Sequence, residues 1–248
     1  MIEARQLKKS FGPQRVLDGV DLRVEKGESV VIIGRSGGGK SILLKHLIGL
    51  LRPDEGDVII DGESIAEMNE RQLLKVRRKF GMLFQGAALF DSLTVAENVA
   101  FVLRREGKLT EPEITKKVDQ ALDMVDLGGT QDKKPAELSG GMRKRVGLAR
   151  AIVYQPQIVL YDEPTTGLDP IVADSIDQLI VRVRERLEVT TVAVTHDMRS
   201  ARRIGQRILM LHQGRIHFNG TPEEIVQSKD PLVYRFVNGI SDPKEPHF

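Results

Sequence analysis

The 248-residue chain carries 37 Lys and Arg against 35 Asp and Glu, and its net charge of +2 is too small to draw a polyanion by charge alone, so no nucleic-acid partner is assigned. It contains no Cys, which removes disulfides, thiolate zinc sites and iron–sulfur ligation and fits a cytosolic setting. The opening MIEARQLKKSFG lacks the apolar core of a signal peptide, and no run approaches the roughly 18 apolar residues needed to span a bilayer; any membrane role must come through a partner.

In chain order, IEARQLKKSF, VLDGVDLRVEKG and GDVIIDG alternate apolar and polar residues and are expected to form an antiparallel β edge. Within that region VVIIG is a continuous apolar run, followed by GRSGGGKS and the helical pattern ILLKHLIGLL. KFGMLFQ is the next strand and ends at Gln85. From about residue 87 to residue 155 the pattern is almost wholly helical, in TVAENVAFVLRREG, EPEITKKVDQALDMVDLG and SGGMRKRVGLARAIVY, and is expected to be an inserted helical lobe. IVLYDE ends in Asp162 and Glu163; TTVAVTH ends at His196. TPEEIVQS opens with Thr221 as cap, Pro222 at the first helical position and Glu224 three residues after the cap. The basic runs Lys75 to Lys79, Arg143 to Arg145 and Arg199 to Arg203 fall in amphipathic helices and are read as solvated faces. Residues 1–240 are taken as the folded domain, and 241–248, polar and Pro-containing, as a tail. Strands alternating with helices give an α/β fold with a mixed, mainly parallel sheet.

GRSGGGKS fits G-x-x-x-x-G-K-[ST] between a strand and a helix. Gly34, Arg35, Ser36, Gly37, Gly38 and Gly39 let backbone N–H groups curl around a phosphate, Lys40 reaches the β and γ phosphates, and the Ser41 hydroxyl ligates magnesium. Ile42 opens the helix behind them. This makes the fold a P-loop NTPase core. No N-K-x-D motif selects guanine, and Phe11 with Val16 offers an apolar cover for a purine face.

A parallel sheet sends all its strand C-termini to one edge, so VVIIG, KFGMLFQ, IVLYDE and TTVAVTH are expected to deliver their polar ends together. Asp162 is the second magnesium anchor, directly or through water. Glu163, next along, points toward an attacking water and is the candidate general base. His196 is a candidate sensor of the γ phosphate. Gln85 either ligates magnesium or holds the water through its amide oxygen.

LSGGMRKRVGLARAI, from Leu138, presents a second anion cradle. A helix beginning at Ser139 offers unsatisfied N–H groups and a positive dipole end, worth at most about 2 kcal/mol, too little to bind nucleotide without a lysine loop. It must complete a site rather than form one. Two chains head to tail, each capping the other's nucleotide, satisfy this with a closed two-fold dimer.

With these residues in order, the chain resembles the ATP-binding-cassette (ABC) ATPases. The match runs through Phe11, the loop from Gly34 to Ser41, Gln85, LSGG at Leu138 to Gly141, Asp162 with Glu163, Leu168 and Asp169 in GLDP, and His196. The resemblance implies ATP and Mg2+ sandwiched between two subunits, with Ser139, Gly140, Gly141 and Asp169 among the nucleotide contacts, and a membrane permease pair seated near Gln85. Two departures stand out: Met142 where most members read Gln, and Ile42 where many read Thr. Together with GRSGGGKS and FQGAALFDSLTVAENVAF they look like the ATPase of Mce-associated phospholipid transporters of the Mla or toluene-tolerance type. That likeness implies phospholipid movement between inner and outer membrane, a periplasmic Mce lipid-binding protein, a small STAS-domain subunit, and a peripheral seat on the cytoplasmic face of the inner membrane. Loss of the Gln at Met142 implies a weaker polar contact across the seam.

Three readings compete. A polar-solute importer shares every catalytic residue. A soluble single-cassette ATPase, as in cluster assembly, shares them too, although no second cassette, long coiled coil or cysteine accompanies them here. A small-molecule kinase shares only the phosphate loop.

Overall fold

Apolar residues at alternate positions build the first hairpin of the computed structural model, which describes residues 1–241. β1 (Ile2–Phe11) pairs antiparallel with β2 (Gln14–Val24), burying Ile2, Ala4 and Leu7 on one strand and Leu17, Val20 and Leu22 on the other. β4 (Glu55–Ile60) and β5 (Glu63–Ser64) continue this sheet in the order β2-β1-β4-β5, the antiparallel edge expected from the sequence.

The chain divides into two units. The first holds residues 1–24, 29–66 and 194 onward, and so contains that antiparallel sheet. Its β3 (Ser29–Ile33) is buried throughout and pairs parallel with β9 (Arg207–His212), while β9 turns antiparallel into β10 (Arg215–Gly220). A strand buried on both faces needs the unbroken Val-Val-Ile-Ile run, each side chain contributing about 1.5 to 3 kcal/mol by leaving water. Helices α1 (Lys40–Leu47), α7 (Met198–Ile204), α8 (Pro222–Gln227) and α9 (Pro231–Val237) complete the unit. α1 stops short of the expected ILLKHLIGLL because Gly49 adopts φ 68° and ends it. Thr221 and Glu224 form the expected capping box of α8.

The second unit holds residues 25–28 and 67–193. After α2 (Glu70–Arg77), β6 (Phe80–Leu83) pairs parallel with β7 (Ile158–Asp162). The helices α3 (Val95–Glu106), α4 (Glu111–Met124) and α5 (Gly140–Ile152) lie between these strands in sequence, followed after β7 by α6 (Pro170–Leu187). β8 (Thr190–Thr195) starts in this unit, and its last two residues belong to the first. β6 stops at Leu83, two residues before the expected Gln85, because Ala87 and Ala88 take left-handed conformations, φ 60° and 48°, in a turn that precedes α3. Arg150 donates to the carbonyls of Ala87 at 2.6 Å and Ala88 at 2.7 Å, and Asn98, fully buried, donates from Nδ2 to the carbonyls of Phe90, Leu93 and Thr94 and accepts from the Phe90 N–H, fixing the residues between that turn and α3. The fold is thus α/β, with one mixed, mostly parallel sheet and one antiparallel sheet. Of the tail read at 241–248, residues 242–248 lie outside the described residues.

Candidate active site

In the first unit, β3 ends at Ile33, and Gly34 to Gly39 carry the chain into α1 at Lys40. Gly39 is the N-cap of α1 at φ 95°, and a Cβ there would lie 3.0 Å from Val16 Cγ1, so the loop is seated against Val16 of β2. No side chain caps α1, and an end of this kind suits an anion. Lys40 is 5% exposed, and its Nζ donates to the carbonyls of Gly34 at 2.8 Å and Arg35 at 3.0 Å, curling the ammonium over the loop. Ser41 and Ile42 follow in the first turn of the helix. The loop borders a cavity of about 540 Å³ lined by Arg15, Arg35, His212 and Arg235 and, among the described residues, by no Asp or Glu, a field suited to a polyphosphate. Burial, and then the charges of His217 and Arg35, hold His212 below the usual histidine range.

Phe11 closes β1 with its ring 46% exposed and Lys9 Nζ 5.6 Å from the ring centroid. His196, exposed, follows β8 in the turn where Asp197 caps α7.

In the second unit, Asp162 is the last residue of β7 and Glu163 the first beyond it, each 7% exposed. Glu163 turns the chain at φ 49°, and its Oε2 accepts from Thr166 Oγ1 at 3.0 Å. Ser139 is the N-cap of α5 and accepts from the Met142 N–H at 3.3 Å, so its hydroxyl already caps its own helix. Gly140 and Gly141 form the first helical positions; a Cβ on Gly141 would meet Val172 of α6 at 2.6 Å, so only glycine lets the two helices approach here. Asp169 caps α6, its Oδ1 accepting from the N–H groups of Ile171 and Val172, both at 3.0 Å. Gln85 is exposed in the turn after β6.

One residue of this unit was read differently from the sequence. Lys144, taken with Arg143 and Arg145 as a solvated face, is 5% exposed. Its Nζ donates to the backbone carbonyl of Gln85 and, at 3.1 Å, to that of Glu163. Burial pulls its ammonium below the usual lysine range, and Asp162 and Glu163 pull it back up. The sequence signal is the helical stripe Gly141, Lys144, Leu148 and Ala151, buried together on one side of α5.

The profile of the family described as ABC transporter matches residues 17–166, more than half of the chain. The chain belongs to this family. It is an ABC ATPase, using ATP with Mg2+, and the probable ribonucleotide transport ATP-binding protein mkl of Mycobacterium leprae is 44% identical to it over 238 residues, 96% of this chain and 69% of that protein. The intermembrane phospholipid transport system ATP-binding protein MlaF of Haemophilus influenzae is 39% identical over 242 residues, covering 98% of this chain and 92% of the relative. Among solved structures, a dimeric ATP-binding cassette in a post-hydrolysis state with ADP and Pi superposes with a TM-score of 0.81 at 35% identity, over 90% of this chain and 99% of that one. The residues of this ABC ATPase fit its cofactors. An uncapped helix end and a buried lysine suit a phosphate chain, and among the described residues no group of three or more His, Cys, Asp or Glu could hold a metal ion. Among the described residues no helix is long and apolar enough to cross a membrane.

Proposed function

We propose that this ABC ATPase drives a phospholipid transporter, as two copies that share two ATP molecules. The observation that carries the lipid reading is the end-to-end likeness to MlaF, 98% of this chain against 92% of that protein, whereas the mycobacterial relative is matched over 69% of its length. The partners that follow are a membrane permease, a periplasmic Mce protein and a STAS-domain subunit, with the ATPase seated peripherally on the cytoplasmic face of the inner membrane. The dimeric cassette with ADP and Pi supports the shared arrangement.

Within each site we assign Lys40 and the N–H groups from Gly34 to Ile42 to the phosphates, and Phe11 with Val16 to the purine. Ser41 and Asp162 would hold Mg2+, with Gln85 either ligating it as well or holding the attacking water through its amide oxygen, and the ion would neutralise charge at the phosphates. Glu163 takes the proton of the attacking water as general base. His196 orients the terminal phosphate, and Ser139, Gly140, Gly141 and Asp169 of the second copy close the site. Differential affinity of ATP for the closed pair drives the motion, and hydrolysis releases it.

The 44% identity to mkl favours one second reading, ribonucleotide transport. Purification of the membrane complex through this chain, followed by extraction and mass spectrometry, separates the two: bound phospholipid is expected, and a bound ribonucleotide other than ATP or ADP without lipid overturns the lipid reading.

A further inference from the structure

Glu163 is in the left-handed region at φ 49°, which a side chain with a Cβ disfavours and which persists only where surrounding contacts hold it. Two contacts fix this residue at opposite ends. Thr166 Oγ1 donates to its carboxylate at 3.0 Å, and Lys144 Nζ donates to its backbone carbonyl at 3.1 Å. The same ammonium also donates to the carbonyl of Gln85. A buried cation thus ties together the turn after β6, the turn after β7 and helix α5. An ammonium is the right group for this task, since it offers three donors and no acceptor, and its hydrogen bonds to carbonyls are charge-assisted.

We infer that Lys144 is a positioning residue for hydrolysis: it holds Glu163 in its left-handed turn, and so sets the aim of the carboxylate, while linking Glu163 and Gln85 to the helix that begins at Ser139. This rests on the assignment of Glu163 as base. Lys144 lies five residues into α5 from its cap, about 7.5 Å along the axis at 1.5 Å per residue, so a displacement of the Ser139 end reaches both turns through one rigid helix. Occupation of the cradle by nucleotide is thereby coupled to the geometry of the base. Neither Ser139 nor Glu163 touches the other for this to work.

The test compares Lys144→Met, which keeps the apolar stem and removes the donors, with Lys144→Arg, which keeps a cation. Steady-state ATP hydrolysis, binding of a fluorescent ATP analogue and urea unfolding are measured on each. Lys144→Met is expected to lower kcat about 100-fold, the scale set by small misplacement of a catalytic group, while KM and analogue affinity change less than about threefold. Lys144→Arg is expected to recover to within about tenfold of wild type. In single turnover, adding Lys144→Met to Glu163→Gln is expected to cost no more than about threefold further, since the group being aimed is already gone. A Met variant with kcat within about threefold of wild type overturns the inference, as does a full additive loss on the Gln background or an Arg variant that unfolds like wild type yet recovers nothing. Near-normal turnover of Glu163→Gln alone overturns instead the base assignment beneath it.

Discussion

Glu163 is placed one residue past the end of β7, with its carboxylate accepting from Thr166 Oγ1. Replacement by Gln removes the proton acceptor and keeps the shape. The variant is expected to bind ATP with near-normal affinity and to hydrolyse it about 100- to 10,000-fold more slowly in a phosphate-release assay. His46 of α1, 1% exposed, uses Nδ1 against the Ile42 carbonyl at 2.8 Å. Desolvation, the largest influence, holds its pKa below the usual 6.5. The unfolded chain therefore binds the proton first as pH falls, and stability is lost as pH drops through about 6.5 toward the lower folded value. His46→Leu is expected to lose less stability than wild type between about pH 7.5 and 5.5 by urea denaturation; equal losses would remove His46 from the acid response. At this scale the phosphate loop was readable because backbone curvature around phosphate demands glycine at fixed spacing. Lys144 was not, since a charged residue between two arginines reads as solvated until its side of the helix is known to be buried.

At the scale of elements, helix starts were legible because capping chemistry is local. Thr221 with Glu224 closes the capping box read from the sequence, and Thr94 with Glu97 closes another at the start of α3. The end of β6 was less so, because Ala87 and Ala88 take left-handed φ under tertiary constraint and carry no local mark of it. Arg150 is one source of that constraint, donating to the carbonyls of Ala87 and Ala88, and the turn that follows is held by Asn98, which satisfies one N–H and three carbonyls of residues 90–94 from a fully buried position. Asn98→Ala is expected to cost on the order of 2 kcal/mol in urea unfolding, as those backbone groups lose partners away from water. A change below about 0.5 kcal/mol would show that the turn is held elsewhere.

At the scale of the whole molecule, phosphate contacts are assigned to two helix ends in each chain, α1 with its lysine loop and α5 capped by Ser139. The α5 end has neither a lysine loop nor more than about 2 kcal/mol of dipole to offer, so the account makes it the closing half of a second copy's site. The absence of Cys from the sequence makes this directly measurable. A tagged chain with Ser139→Cys is mixed with an untagged chain carrying Ser36→Cys, both also Glu163→Gln, and oxidised with and without MgATP. The account predicts a disulfide-linked pair of one tagged and one untagged chain that depends on MgATP. Two intact, nucleotide-binding proteins that never cross-link under those conditions would contradict it.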